Sequence, residues 1–239
     1  MFTSDWANTR GERIATIAAV RIGQVREHDW GPRPVLSAAV KHPVGGRIRL
    51  GVVGFDGDEQ ADTKNHGGPE KAALLYCGDH YPRWRSEEGI DLPDGALFEN
   101  VTLSGGPDES TIVLGEVWRL GTAVVQVSQP RSPCFKLAKQ WQIEDLVLRV
   151  QRTGWSGWYV RVLDEGTVGA GDAVERLHVP ASSPTMAEIS RVMNVNKDDL
   201  PAAERLLEAP GLPERWRVKL RARLAGRPDD DSARLRGPA

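Results

Sequence analysis

Val117-Trp118-Arg119-Leu120-Gly121-Thr122-Ala123-Val124-Val125-Gln126-Val127-Ser128-Gln129-Pro130-Arg131-Ser132-Pro133-Cys134 sets two short runs rich in Val and Leu on either side of one glycine, then a cysteine behind a Ser-Pro pair. Runs of four to eight residues rich in β-branched side chains are strands rather than helices, and Gly121 marks a tight turn between them. The same texture recurs at Ile14 to Val25, Arg47 to Val53, Ala72 to Tyr76, Val101 to Leu103, Trp158 to Leu163 and Ala173 to Leu177. Gly45-Gly46 is expected to close a further hairpin. Helical spacing interrupts the pattern at Asp79 to Glu88 and at Ile143 to Thr153. Many short strands with irregular connections predict a mainly β fold, a barrel closed or partly closed, over residues 14–178.

The composition shifts after His178. Pro180 to Pro184 reads as a linker, and Thr185-Met186-Ala187-Glu188 fits a capping box that opens a helix. Two more helices are expected at Leu200 to Glu208 and Pro213 to Leu224, giving a three-helix unit over 185–225. So small a unit is short of a core of its own and should dock on the barrel or on a partner. The charged segment 226–239 is expected to be a mobile tail.

Cys134 is the first candidate for chemistry. Ser132 suits a helix N-cap and Pro133 the first helical position, which places Cys134 at the second, where unpaired N–H groups and the helix dipole favour a thiolate. Arg131 and Lys136 add positive charge. A free cysteine is most often a small buried hydrophobe, and Cys77, at the end of an apolar run, reads that way.

The chain has 239 residues, with 31 basic and 33 acidic side chains and a net charge of −2, so no global field draws it to nucleic acid or an anionic membrane. Two cysteines make neither a disulfide framework nor an iron–sulfur or four-cysteine zinc site. Met1 to Arg13 lacks the apolar core of a signal peptide and no run is long enough to span a membrane, so the protein is expected to be cytoplasmic.

A second polar constellation runs from Gly57-Asp58-Glu59-Gln60-Ala61-Asp62 to His66-Gly67-Gly68-Pro69-Glu70-Lys71. Asp56, Asp58 and Asp62 suggest a calcium loop, but the EF-hand glycine and terminal glutamate are missing. His66 has no second ligand at metal spacing. Two readings stand: a loop tied by its own polar groups, or a glycine-opened backbone approaching a ligand that His66 or Lys71 holds. Lys41, His42, Arg47, Arg49 and Arg131 are candidate cations of an anion pocket, each also readable as a solvated surface charge.

These segments together resemble the MOSC domain family, named for the C-terminal part of molybdenum cofactor sulfurase, and its YiiM-type branch. The resemblance is carried by Gly57 to Asp62, His66 to Ala72, Glu99-Asn100, Gly115-Glu116, Val127 to Leu137, Gly154 to Tyr159 and Ala170-Gly171-Asp172, in that order. Asp199-Leu200 through Leu207 to Trp216 resembles the three-helix module appended to that branch. The resemblance implies a β-barrel that binds molybdenum cofactor, with Cys134 as metal ligand and catalytic residue. It implies Lys41, His66, Lys71, Asn100 and Arg131 as cofactor-binding residues. It also implies reduction of N-hydroxylated compounds, N-hydroxylaminopurines in this branch, a detoxifying reaction. Since the cysteines cannot hold an iron–sulfur cluster, electrons would come from a partner such as a flavodoxin or a flavin reductase. One departure stands out: Leu97-Phe98-Glu99-Asn100 has Phe98 where the family has glycine. If that glycine serves a positive φ, Phe98 should disturb the loop carrying Asn100.

Two other functions fit the same residues. One is a persulfide carrier using Cys134, although no pyridoxal-dependent desulfurase domain fits in this length. The other is a non-catalytic cofactor-binding protein in which Phe98 closes off substrate.

Overall fold

The computed structural model describes residues 6–31, 33–62, 67–227 and 230–237. Strand β1 (Glu12–Ile22) opens the fold, followed by the ribbon β2 (Arg26–His28) and β3 (Val35–Ser37), then by β4 (His42–Pro43), β5 (Arg47–Gly51) and β6 (Gly54–Phe55). Next come β7 (Ala73–Cys77), helix α1 (His80–Glu88), β8 (Val101–Ser104), β9 (Val117–Leu120) and β10 (Ala123–Pro130). Helices α2 (Lys136–Trp141) and α3 (Leu146–Thr153) precede β11 (Trp158–Asp164), β12 (Gly166–Gly169) and β13 (Ala173–His178). Helices α4 (Met186–Ser190), α5 (Leu200–Leu207), α6 (Glu214–Leu224) and α7 (Ser232–Arg236) end the chain.

Seven strands close a barrel in the order β13-β9-β10-β11-β7-β8-β1, with β1 paired back to β13 and β4 added outside on β1. Closure removes the open edges that a sheet of this size would expose. The Gly121 turn joins β9 to β10 with Ala123 opposite Leu120, as the two Val-rich runs require. Gly45-Gly46 does something else. β4 pairs with β1 while β5 pairs with β12 and β6, so the two glycines link different sheets and close no hairpin.

Strand β7 shows why its sequence reads as an unbroken apolar run. Ala73, Leu75 and Cys77 face the barrel interior with Ile17, Leu103, Trp118 and Trp158, whereas Tyr76 joins Trp84, Leu97, Leu137 and Val150 beneath the helices outside. Both faces are covered, so neither tolerates polar residues. β7 pairs parallel with β8, and α1 lies in the crossover that such a pairing needs. Cys77 is core, and burial pushes its thiol up to about 12.

The Thr185 capping box is formed in both directions: the Thr185 hydroxyl accepts from Glu188 N, and the Glu188 carboxylate accepts from Thr185 N. Met186, Ile189, Leu206, Leu212, Trp216 and Leu220 from the helical unit belong to the same apolar cluster as the barrel core, so the unit docks on the barrel. Part of the segment expected to be a mobile tail is helical. α7 folds back to the barrel side of the molecule, with Leu235 partly buried against the outer helical cluster. Among the described residues no helix is long and apolar enough to cross a membrane.

Candidate functional site

Cys134 does not sit inside a helix. α2 starts at Lys136 with Phe135 as N-cap, leaving Cys134 in an irregular loop two residues earlier. The Ser132 hydroxyl expected to cap the helix donates instead to Asn194 Oδ1 at 3.0 Å, in the helical unit. Arg131 N continues the strand ladder by donating to Gly157 O at 2.9 Å. The helix-dipole argument for Cys134 therefore fails, and its position has another cause: the end of β10 delivers it to the mouth of a cavity. Gly157 makes that possible. Its φ is 76°, and a Cβ there would lie 2.4 Å from Leu75 O. Gly157 N donates to the buried Glu109 carboxylate at 2.7 Å, which also bonds His80 Nε2 at 2.7 Å.

The cavity has two chambers that share Asp62, Lys71, Ser132, Cys134, Lys136 and Tyr159. The inner one, of about 90 Å³, is walled by Lys41, Asp58, Phe98, Asn100 and Arg131. The outer one, of about 420 Å³, is walled by Asn194, Arg215, Trp216 and Lys219 of the helical unit and by Asp230, Asp231 and Arg234 beyond it. Five of the expected site residues, Lys41, Lys71, Asn100, Arg131 and Cys134, thus line one cavity. His66 lies outside the described residues. His42 is exposed on β4, and Arg47 and Arg49 pair with Asp172 and Glu165 on the surface instead of lining either chamber.

The inner wall is a knot of mutually satisfied groups. Asp58 Oδ1 accepts from Lys41 Nζ at 2.5 Å and Gly23 N at 2.7 Å, and Oδ2 accepts from Asn100 Nδ2 at 2.9 Å. Asn100 also donates to Arg21 O at 3.2 Å and accepts from Leu74 N at 3.1 Å. Burial pulls the Lys41 ammonium below its ordinary range, against the charge and hydrogen bond of Asp58. Asp58, which the sequence left in a failed calcium loop, is the hub of this knot.

Elsewhere in the lining, one buried donor is unsatisfied among the described residues. Arg131 is 5% exposed, and its Nη1 is buried with no hydrogen-bond partner. Lys71 is lowered to about 8, first by burial and then by Arg215 and Lys219 across the outer chamber, with Asp62 pulling the other way. It is held there by its own backbone: Glu70 O accepts from Ser128 Oγ at 2.7 Å, and Lys71 Nζ lies 5.4 Å from the centre of the Tyr159 ring. Burial raises the Tyr159 phenol, which keeps its proton. Sequence reasoning missed Tyr159 as a wall residue, although it ends the Gly154 to Tyr159 motif.

Phe98 takes the conformation a glycine would, with φ at 63°, and the loop is undisturbed. Phe98 N donates to Gly95 O at 3.0 Å, and the next turn delivers Asn100 intact. The Phe98 ring is buried against Trp30, centroids 6.4 Å apart, while lining the inner chamber. The packing holds a backbone state that costs a side chain about 1–2 kcal/mol. Among the described residues no group of three or more His, Cys, Asp or Glu is arranged to hold a metal.

Comparison with known proteins agrees in both sequence and fold. The MOSC domain model matches residues 62–175, and the model described as YiiM-like, 3-alpha helix domain matches 184–227. The protein YiiM of Escherichia coli (strain K12) is 38% identical over 204 residues, 84% of this chain and 91% of that one. A protein named Reductase from Gibberella moniliformis is 35% identical over 185 residues, 76% of this chain but 32% of its own length. The crystal structure of YiiM from Geobacillus stearothermophilus superposes with a TM-score of 0.73 at 31% identity, covering 88% of this chain and 99% of that one.

Proposed function

This chain belongs to the MOSC family, with the YiiM-like helical module, and we propose that it binds molybdenum cofactor at Cys134 and reduces N-hydroxylated bases with electrons from a partner protein. The observation that carries this reading is the buried, unpartnered Arg131 Nη1 beside the half-buried Cys134 in one cavity. A buried donor without an acceptor costs about 1–3 kcal/mol, more for a charged group, and an anionic ligand recovers it. A lone cysteine is no cage for a bare ion. It suits a soft metal that brings its own ligands, as a pterin dithiolene does.

The residues fit such a group. Cys134 supplies the thiolate ligand, and Arg131 and Lys71, with Arg215 and Lys219 beyond them, supply positive charge for the pterin phosphate. When bound, the cofactor supplies the two-electron reduction of the N–O bond. The chain orients the substrate and holds protons: Tyr159 Oη stays protonated, and Lys71 Nζ, at about 8, is near enough to neutrality to give a proton up. Phe98 offers a flat apolar wall to an aromatic base. The relative named Reductase supports the reaction class. A flavodoxin or a flavin reductase is the class of donor that suits this chemistry, since two cysteines cannot hold an iron–sulfur cluster.

The test is metal and pterin analysis of protein made in a host that synthesises the cofactor, followed by N-hydroxyadenine and a chemical reductant. Near-stoichiometric molybdenum, its loss in Cys134→Ser and conversion of N-hydroxyadenine to adenine are expected. A well-folded wild type without molybdenum overturns the reading.

A further inference from the structure

We propose that Arg234 is a positioning residue for Cys134, and that residues 230–237 act as a strap holding the cysteine's loop from outside. Arg234 bonds the peptide groups on both sides of Cys134. Its Nη1 donates to Pro133 O at 2.6 Å, and its own carbonyl oxygen accepts from Phe135 N at 2.8 Å. The second bond matters because α2 has no side-chain cap, and Phe135 N is a helix-start donor that needs an acceptor.

The strap is anchored at both ends of the guanidinium. Arg234 Nη1 also donates to Gln151 Oε1 at 2.8 Å on α3, and Nη2 donates to Asp231 Oδ2 at 2.9 Å. Asp231 in turn pairs with Lys197 of the helical unit. Three parts of the molecule thus converge on the two peptides that flank the cysteine. A ligand group works only when its support holds it to within about 0.5 Å, and loop residues 131–134 have no helix or strand of their own to do so. Residues 230–237 lie beyond 184–227, the range of the helical-module match, so the strap is not part of that module.

What Cys134 does once positioned rests on the proposed function, but the positioning can be tested without any cofactor. The full-length apoprotein is alkylated with iodoacetamide under native conditions, and Cys134 and Cys77 are followed separately by peptide mass spectrometry. Arg234→Ala is expected to speed Cys134 labelling about fivefold, the equivalent of one lost hydrogen bond, with Cys77 unchanged in the barrel core. Asp231→Asn should give a smaller increase. Arg234→Lys, which restores one donor toward Pro133 O, should recover most of the protection. Wild-type labelling of Cys134 in Arg234→Ala overturns the proposal. So does equal acceleration at Cys77, which would mean general loosening. A protein that never loads molybdenum would sink the cofactor reading and leave these rates as they are.

Discussion

The two walls of the cavity are built from similar residue types and differ at one buried donor. Around Asp58 every named polar atom has a partner, and the group is nearly closed to water. Across the chamber, Arg131 Nη1 has none, and Lys71 is crowded by other cations. Buried polar groups that satisfy one another hold a fold together, whereas one left unsatisfied by the protein carries a cost that a ligand or an ordered water removes. On the proposed reading the first wall is architecture and the second faces the ligand, although the sequence marks Lys41, Asn100, Lys71 and Arg131 alike.

Breaking the satisfied wall should have the largest effect. Asp58→Ala leaves Lys41 buried without its counter-ion and frees Asn100 and Gly23 N, a loss of about 3–5 kcal/mol for a broken buried pair. A melting temperature lower by about 10 °C or more is expected. Arg131→Met at the other wall should leave the melting temperature unchanged or higher, while abolishing cofactor retention. If Arg131→Met destabilises as much as Asp58→Ala, the division between the walls is wrong.

Phe98 lines the same chamber, and its two contributions to stability oppose each other. Removing a buried phenyl ring costs about 3–5 kcal/mol, and relief of the left-handed backbone returns about 1–2. Phe98→Gly should therefore lower stability by about 2 kcal/mol in denaturant unfolding and enlarge the inner chamber. A stabilised variant would mean that the ring packs more loosely against Trp30 than the 6.4 Å stack indicates.

Lys71 sharpens the comparison through pH. Its ordinary value is 10.5 and in the fold it is about 8, so between these limits the unfolded chain binds more protons. Stability should rise with pH across that window, while anion binding weakens as pH passes 8 and the ammonium is lost. Lys71→Met should gain about 1 kcal/mol at pH 7, flatten the slope and bind anions less well. The same slope in the variant would place the crowding elsewhere.

What was legible in the sequence follows from the range of the forces involved. The β9–Gly121–β10 unit and the Thr185 capping box depend on neighbours within a few residues, so pattern suffices. The start of α2 does not. Ser132 is captured by Asn194, 62 positions away, and no local rule shows that. Asp58 was illegible for the same reason, since Lys41, Gly23 and Asn100 are 17, 35 and 42 positions distant. Phe98 misled because a rule about glycine was applied without the packing that holds its backbone. The cysteine motif led to a residue that lines the cavity, on a helix-start argument that the structure replaces.

The smallest expected effect belongs to Asp231, whose bonds join the strap to the helical unit. Burial alone would raise its carboxyl, but hydrogen bonds from Arg234 and Lys197, and their charges, hold it at about 2 instead of 3.8. A group lowered by folding stabilises the folded arrangement fully above its unfolded value and loses that contribution as pH falls through the folded one. The strap should thus be intact above about pH 4 and loosen between there and pH 2. The backbone amide of Phe135 reports it, because its proton is held by Arg234 O. Hydrogen exchange at that amide, corrected for the intrinsic rate, should lose protection over this range while amides in β10 keep theirs. Asp231→Asn should show the weakened protection already at pH 5. Protection that is flat from pH 5 to 2 in the wild type would mean that Gln151 and Pro133 hold the strap without help from Asp231.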